Sequence, residues 1–210
     1  MDAIYREFGV KFFVDCEIIK IINDFSMQKP DYEHVVLVTE DDEVIGTAPK
    51  SEVHTMNTPL HRAFSLFLFR PSDKKFLIQQ RWSGKKTWPL VWSNSCCGHP
   101  ELYEETIDAV MRRTAFELGI ENFEILAEAA PYRYRFERDG VVENEICPVF
   151  FGISSDEVRP HPEEVEDFEW LSWNEFKERA FADETTFSEW CKEELVLLEK
   201  SDVFRRYILE

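Results

Sequence analysis

The chain has 210 residues and a formal net charge of −18 at pH 7. This length can hold one substantial hydrophobic core, and a hydrophobic share of 44% with an aromatic share of 14% is typical of a packed globular protein. The excess of negative charge excludes nucleic acid as an expected partner, because its phosphates would be repelled. No apolar run approaches the roughly 18 residues that a membrane span needs.

The N-terminus and the cysteines predict a cytoplasmic protein. The chain begins Met-Asp and lacks the basic segment and apolar core of a secretory signal. The five cysteines are an odd number, and Cys96 and Cys97 are adjacent, so a disulfide framework is not expected. A reducing cytoplasm is the compartment that fits this pattern.

Residues 1–30 are predicted to form a helical extension of one or two helices, closed by Pro30. The segment is too apolar for a free tail. It could pad the core, form a dimer surface or lie on a membrane, and the sequence does not decide among these. The oligomeric state, monomer or homodimer, therefore stays open.

Apolar and alternating runs predict an α/β protein of the α+β type over residues 31–210. The predicted strands cover residues 34–39, 44–47, 63–69, 75–82 and 165–171. A long hairpin is predicted from strands 125–137 and 143–153, turning at residues 138–140. Residues 50–60 are predicted to be a loop or short helix, and longer helices are predicted over 101–119, 173–179 and 189–200. Strands interleaved with a few helices favour a mixed sheet sandwiched between helices.

The helix predicted over 101–119 has one apolar face. Its members recur at i, i+3 and i+4 spacing: Ile107, Val110, Met111, Thr114, Ala115 and Leu118. Gly119 follows the last of them, where a helix C-cap favours a residue that can adopt positive φ. We therefore expect this helix to pack against the sheet and to end at Gly119.

Cys97 and His99 lie just before this helix. In an extended segment their spacing of two points both side chains the same way. A thiol and an imidazole that face one pocket form a candidate site, and the alternative is a buried cysteine beside a helix-capping histidine. Cys96 is expected to point to the core, and the Cys-x-His spacing selects Cys97 for the site.

The same stretch carries the spacing of the Nudix box. Six residues fall on that spacing: Gly98, Glu104, Arg112, Glu117, Gly119 and Ile120. Arg113 and Phe116 stand where the box has glutamates, which in Nudix hydrolases hold the Mg²⁺ that activates water. The resemblance implies a Nudix-type fold, and the two missing acids imply poor hydrolysis.

Three flanking motifs narrow the resemblance. They are Trp-Pro-x-x-Trp-x-Asn-Ser-x-Cys-Gly-His-Pro at 88–100, Tyr-Arg-Tyr-Arg at 132–135 and Glu-Asn-Glu-x-Cys-Pro at 143–148. In this order they resemble type I isopentenyl-diphosphate isomerases, over about residues 32–190. The resemblance implies interconversion of isopentenyl and dimethylallyl diphosphate, in isoprenoid biosynthesis, by a 1,3-allylic proton shift.

The resemblance also implies roles for single residues. Cys97 and Glu145 match the groups that exchange protons on opposite faces of the substrate, and Tyr134 matches a tyrosine close to that glutamate. Trp190 matches a tryptophan that shields the allylic cation, as a ring face attracts positive charge. The positions that match diphosphate contacts are Lys50, Arg81, Lys85 and Arg113. Glu117 matches the ligand of a second Mg²⁺, which arrives with the diphosphate.

Three histidines and two glutamates form a candidate metal site. Glu143 and Glu145 alternate on a predicted strand, so their carboxylates project from one face about 7 Å apart. Two such carboxylates repel each other unless a cation or proton lies between them. The resemblance implies one divalent ion, Zn²⁺, Mn²⁺ or Mg²⁺, held by His54, His61, His99, Glu143 and Glu145. Imidazole ligands favour the first two metals.

Three other functions share parts of this pattern. A Nudix-type diphosphohydrolase would share the fold and the affinity for diphosphate, and Arg113 and Phe116 argue against it. A catalytically inactive binding module would be expected to have lost Cys97, Glu145 or a histidine. A protein that only senses metal through the His/Glu cluster would not need the four basic residues that match diphosphate contacts.

Cys147 shares the strand alternation of Glu143 and Glu145, and we predict a packing role for it.

Overall fold

The computed structural model describes residues 33–183 and 185–209. The helical extension predicted over 1–30 lies outside these residues. Among the described residues, no helix is long and apolar enough to cross a bilayer.

The elements follow one another in the order that the sequence predicts, with several short additions. The strands are β1 His34–Val38, β2 Val44–Pro49, β3 His61–Arg62, β4 Phe64–Arg70, β5 Lys75–Arg81, β6 Trp92–Ser93, β7 Cys96–Gly98, β8 Phe123–Ala130, β9 Arg133–Arg138, β10 Val141–Ile146, β11 Val149–Ser154 and β12 Val165–Leu171. The helices are α1 Lys50–Val53, α2 Thr106–Leu118, α3 Trp173–Ala182, α4 Glu189–Leu198 and α5 Asp202–Phe204, and a π-helical turn follows at Arg205–Leu209.

The strands form two sheets. One has the order β2-β1-β3-β10-β9, and the other has the order β12-β5-β4-β11-β8, with β6 beside β5 and β7 beside β4. Strands β3 and β10 are parallel, and so are β4 and β11. The two chain segments β3–β4 and β10–β11 therefore leave the first sheet and enter the second side by side.

Helices cover both faces of the second sheet. Phe64, Leu66 and Leu68 of β4 pack with Ala109 and Val110 of α2. Phe67 and Phe69, on the opposite face of β4, belong to the core that includes α3, α4 and α5. A strand buried on both faces needs a continuous apolar run, which is what β4 has. The prediction of a mixed sheet between helices is confirmed for this sheet.

Helix α2 differs from its prediction in two ways. It begins at Thr106 rather than 101, because residues 101–105 form a turn in which Glu104 accepts the backbone N–H of Glu101. Ile107, predicted on the buried face, is 43% exposed. Arg113 and Glu117 are buried instead, so this helix presents a charged pair to the interior. Gly119 has φ of 64° and caps the helix as predicted.

The predicted long hairpin is divided between the two sheets. β9 and β10 pair around the turn at Asp139 and Gly140 in the first sheet, whereas β8 and β11 pair in the second. Pro131 and Pro148 lie at the crossing points, where a residue that lacks an N–H interrupts the ladder. The crossing places Glu143 and Glu145 in the first sheet and Cys147 between the sheets.

Candidate active site and metal centre

Three histidines converge where the first sheet meets the 88–100 segment. His54 follows α1, His61 lies in β3 and His99 follows β7. The ring centroids of His54 and His61 are 5.4 Å apart, those of His54 and His99 5.9 Å, and those of His61 and His99 5.1 Å. His61 is fully buried and His54 is 4% exposed. Residues 45 positions apart in sequence therefore share one water-poor space.

Two glutamates of β10 face this cluster. Glu145 lies opposite His61 in the parallel β3–β10 register. Its Oε1 lies 3.0 Å from Nε2 of His99 and 3.3 Å from Nε2 of His61. Glu143 Oε2 lies 3.0 Å from Nε2 of His54. One potential ligand atom from each of His54, His61, His99 and Glu145 lies within 4.8 Å of the others, and Glu143 adjoins this group through His54.

The donor set fits a divalent cation. Nδ1 of His61 lies 2.9 Å from the Pro59 carbonyl and Nδ1 of His54 lies 3.3 Å from the Lys50 carbonyl, so both rings donate from Nδ1 and turn the Nε2 lone pair inward. Within residues 33–183 and 185–209, Nε2 of both rings and Oε2 of Glu143 are buried without a hydrogen-bond partner. Inward lone pairs beside carboxylates are an arrangement that a cation stabilises.

The protonation of the cluster follows from burial and from contact with Glu145. Burial lowers the pKa of His99 to about 4, which keeps this imidazole neutral and able to act as a ligand. Burial raises the pKa of Glu145, but its close contacts with the His61 and His99 rings outweigh that effect and hold the pKa well below its ordinary value. Glu145 is therefore ionised.

Cys97 lies beside this cluster on β7. Its Sγ donates to Oδ1 of Asn94 at 3.1 Å, and the Ser65 hydroxyl lies 3.5 Å from the same sulfur. Burial, with the nearby Glu194 carboxyl, raises the pKa of Cys97 to about 12, so the group is a thiol at neutral pH. Cys96 is fully buried against α2, as predicted.

Tyr134 and Trp190 complete the wall around Glu145. Tyr134 lies opposite Glu145 in the β9–β10 register and donates its hydroxyl to the Glu145 carboxylate. The Tyr134 and Trp190 rings stack with centroids 5.8 Å apart and an interplanar angle of 16°. Trp190 Nε1 donates to Ser93 Oγ at 3.1 Å, which fixes the indole. Burial raises the pKa of Tyr134 well above its ordinary value, so the phenol keeps its proton.

A second cluster contains three of the four predicted diphosphate ligands. Lys50, Lys85 and Arg113 come from α1, the loop after β5 and the buried side of α2. The three cations pair with three carboxylates: Glu33, Glu117 and Glu164.

Arg113 is the centre of this second cluster. Its guanidinium lies 2.5 Å from Glu33 and 3.4 Å from Glu164, and it also contacts Glu117 at i+4. Lys50 lies 2.7 Å from Glu33. Three cations against three carboxylates leave the cluster without net charge. The sequence did not indicate Glu33 and Glu164 as members of a site, because only the folded chain brings them to Arg113.

Arg81 lies outside this network of ion pairs. It donates from Nε and Nη2 to the carbonyl of Thr87, and also to the carbonyl of Trp88 and the Thr87 hydroxyl. Its guanidinium lies 5.6 Å from the Trp190 ring centroid. In this conformation Arg81 holds the loop that carries Trp88 against Trp190.

The residues on the Nudix-box spacing position the site. Arg112 pairs with Glu104 at 2.6 Å and donates to the His99 carbonyl at 3.2 Å, which ties α2 to a cluster histidine. A Cβ at Gly98 would meet the side chains of Arg113 and Phe64, so glycine permits the close approach of α2 and β7. Phe116 stacks on His161 with ring centroids 4.6 Å apart, where the Nudix box has an acid.

Comparison with known proteins agrees with these features. The NUDIX domain family model matches residues 59–191. A curated isopentenyl-diphosphate Delta-isomerase of Saccharopolyspora erythraea is 41% identical over 167 residues, which cover 79% of this chain and 86% of that protein. The chain belongs to the isopentenyl-diphosphate Delta-isomerase family of Nudix proteins. A curated isopentenyl-diphosphate Delta-isomerase of Salmonella typhi is 42% identical over 159 residues, which cover 75% of this chain and 87% of that protein.

Solved structures confirm the Nudix fold. A crystal structure from Deinococcus radiodurans superposes with a TM-score of 0.60 at 21% identity and covers 78% of this chain and 98% of that one. A MutT protein from Methanosarcina mazei superposes with a TM-score of 0.52 at 19% identity and covers 71% of this chain and 93% of that one. At these identities the likeness concerns the fold alone.

Proposed function

We propose that this member of the isopentenyl-diphosphate Delta-isomerase family interconverts isopentenyl and dimethylallyl diphosphate. The observation that carries the proposal is the joint placement of two proton-transfer groups beside a His/Glu cluster. Cys97 packs in the same core cluster as Tyr134, and Tyr134 donates to Glu145, whose carboxylate contacts His61 and His99. The curated relatives carry the name of this activity.

The reaction needs one proton added and one removed in each turnover. Protonation of the terminal carbon of the double bond leaves a cation on the neighbouring tertiary carbon. Loss of a proton from the next carbon toward the diphosphate then creates the new double bond. Cys97 and Glu145 have the complementary states for this exchange, since one is a thiol and the other a carboxylate. The Tyr134 hydroxyl donates to the Glu145 carboxylate and would pass a proton between that carboxylate and the substrate.

The aromatic wall suits the cation. The Trp190 ring is 2% exposed and fixed by Ser93, with Trp88 packed edge-on at 5.3 Å. A ring face stabilises a desolvated cation by about 2 kcal/mol or more. The same burial keeps water from capturing the cation as an alcohol.

The His/Glu cluster would hold one divalent ion. His54, His61, His99 and Glu145 supply the ligand atoms that lie closest together, and Glu143 adjoins them. When bound, the ion supplies fixed positive charge at Glu145. Zn²⁺ or Mn²⁺ suits three imidazoles better than Mg²⁺.

Removal of divalent metal is expected to lower the midpoint of thermal unfolding by about 5–10 °C relative to protein at a metal concentration of 100 times Kd. His61→Ala should abolish this difference, because the variant lacks a buried ligand. Calorimetry with and without a chelator, with bound metal counted by atomic emission, measures both. His34→Ala, outside the cluster, is the control. The metal site would be contradicted if protein prepared in a metal-containing buffer held no metal and its midpoint of thermal unfolding did not change with chelator.

The diphosphate would bind at the second cluster, through Lys50, Lys85 and Arg113, with Arg81 adjacent. Because carboxylates already neutralise these cations, an anion gains little electrostatic binding energy here unless it brings a cation with it or displaces a carboxylate. This balance supports entry of the diphosphate together with a second Mg²⁺, held by Glu117.

Glu33→Gln is expected to tighten the binding of inorganic diphosphate about tenfold in the absence of Mg²⁺. The substitution leaves one positive charge uncompensated beside Lys50 and Arg113. Isothermal titration calorimetry measures the change. Glu157→Gln, at an exposed acid that pairs with Arg159 and not with the three cations of the cluster, is the control. Unchanged or weaker affinity in Glu33→Gln would contradict the charge-balance argument.

A diphosphohydrolase is less well supported. Phe116 occupies a Nudix-box acid position and stacks on His161, while Arg113 occupies another and binds carboxylates. The proposed proton transfer by the Cys97 thiol also requires that this cysteine stay reduced, which supports a cytoplasmic location. Incubation with isopentenyl diphosphate, Mg²⁺ and the cluster metal, followed by mass spectrometry and phosphorus NMR, separates the two activities. Dimethylallyl diphosphate is the expected product, and released phosphate would favour the hydrolase.

A further inference from the structure

The turn that carries Trp88 has an unfavourable backbone conformation. Trp88 has a φ of 47° and Leu90 has a φ of 61°, both in the left-handed region that bulky residues rarely adopt. Such a conformation persists only where contacts from the surrounding structure hold it. The position of this turn therefore depends on the groups that bind it.

Two hydrogen bonds hold Trp88 at opposite ends. Arg81 donates from Nε to the Trp88 carbonyl at 3.1 Å and so fixes the backbone. The Trp88 side chain is 2% exposed, and its Nε1 donates to Oε2 of Glu189 at 2.6 Å. A buried indole N–H needs an acceptor, because the donor would otherwise lose its hydration without compensation. Glu189 is thus the contact that fixes the indole.

Arg138 in turn holds the Glu189 carboxylate. Its Nη2 donates to Oε1 of Glu189 at 2.7 Å, and its guanidinium lies 5.7 Å from the centroid of the Trp88 ring. Each oxygen of one carboxylate therefore has a different donor. Glu189 is the first residue of α4 and Arg138 is the last residue of β9, so this carboxylate ties the Trp88 turn to a helix and to a strand.

The residue after Glu189 belongs to the aromatic wall. Trp190 packs edge-on against Trp88 with ring centroids 5.3 Å apart, and it stacks on Tyr134 with centroids 5.8 Å apart. One side of the Trp190 ring is therefore supported by the ring that Glu189 fixes. Because side chains in a packed interior hold one another in place, a displaced Trp88 ring would leave Trp190 without this support.

We propose that Glu189 is a positioning residue that, held by Arg138, keeps Trp88 packed against Trp190 and so fixes the aromatic wall. The inference rests on the proposed function, in which Trp190 stabilises the substrate cation. The cations of the second cluster pair with other carboxylates. The loss of Glu189 should therefore slow the catalytic step and leave the binding of diphosphate unchanged.

The test compares Glu189→Leu, Trp88→Phe and the double variant in the metal-loaded enzyme. Glu189→Leu is expected to lower kcat about tenfold, because a small displacement of a supporting group has an effect of this order. The Kd of inorganic diphosphate with Mg²⁺, measured by titration calorimetry, should stay within about twofold of wild type. Phenylalanine has no N–H, so adding Glu189→Leu to Trp88→Phe should change kcat by less than about twofold. Glu178→Gln, at an exposed acid on α3, is the control.

The indole N–H of Trp88 gives a measurement that does not depend on activity. In protein labelled with ¹⁵N-tryptophan, the Trp88 signal is assigned by its loss in Trp88→Phe. A short hydrogen bond to a carboxylate deshields the indole proton. Glu189→Leu should therefore shift this signal to lower frequency, whereas Glu178→Gln should leave it in place.

Arg138→Leu keeps the test decisive if Glu189→Leu does not fold. It removes the group that holds the Glu189 carboxylate, so it should shift the same indole signal and lower kcat. Wild-type kcat or an unshifted Trp88 signal in the variant that folds would overturn the proposal. It would also be overturned if Glu189→Leu caused the same loss of kcat with Phe as with Trp at position 88. A wild-type protein that does not convert isopentenyl diphosphate, although the signal shifts in Glu189→Leu, would instead overturn the proposed function.

Discussion

Cys97→Ala is expected to lower kcat for isopentenyl diphosphate by about a thousandfold or more. The substitution removes one of the two groups that exchange a proton with the substrate, and such groups contribute about 10²- to 10⁴-fold. Because the thiol contacts only Asn94 and Ser65 among the hydrogen-bonding groups described, the fold should survive. A coupled or radiometric isomerase assay, with circular dichroism and calorimetry on the same samples, measures both effects.

Cys96→Ala is the matched control for this variant. Cys96 is the preceding residue on the same strand, and it points into the opposite core against α2. Its loss should cost about 1 kcal/mol of stability and leave kcat nearly unchanged. A fully active Cys97→Ala protein would contradict the assignment of Cys97.

Glu145→Gln is expected to lower kcat by about a thousandfold or more and also to weaken metal binding. This carboxylate lies against His61 and His99 and accepts the Tyr134 hydroxyl, so one substitution removes a proton-transfer group and a metal ligand. Kinetics at saturating metal, together with a metal titration, separate the two losses. Turnover should remain low when metal is saturating.

Glu137→Gln provides the control for Glu145→Gln. Glu137 is an exposed acid on the neighbouring strand β9, so its neutralisation changes the charge of the same sheet without touching the cluster. Its kcat and metal affinity should match the wild type. Restoration of full activity to Glu145→Gln by excess metal would contradict a proton-transfer role and leave only a ligand role.

The sequence predicts well the elements whose pattern is local. The apolar run of β4, the glycine cap of α2 and strand β12 depend on neighbouring residues, and their bounds agree with the structure to within one or two positions. The predicted hairpin was wrong in one respect. Strands that pair within one sheet and strands that cross between two sheets show the same alternation of apolar and polar residues. Only Pro131 and Pro148 indicated that the two strands cross from one sheet to the other.

The clusters depend on contacts that no local pattern encodes. His61 meets Glu145 because β3 and β10 are parallel neighbours, although 84 positions separate them. Family motifs supplied that grouping in advance. The carboxylates of Glu33, Glu164 and Glu194 lie outside those motifs, and their burial against cations or thiols follows only from the fold.

The most direct test of the account is the proton exchange itself. The metal-loaded protein is incubated with isopentenyl diphosphate and Mg²⁺ in D₂O, and proton and phosphorus NMR spectra are recorded together. The account predicts dimethylallyl diphosphate that carries solvent deuterium and an intact diphosphate, and no such product from Cys97→Ala. Loss of the diphosphate signal, or a substrate spectrum that stays unchanged with metal bound, would contradict it.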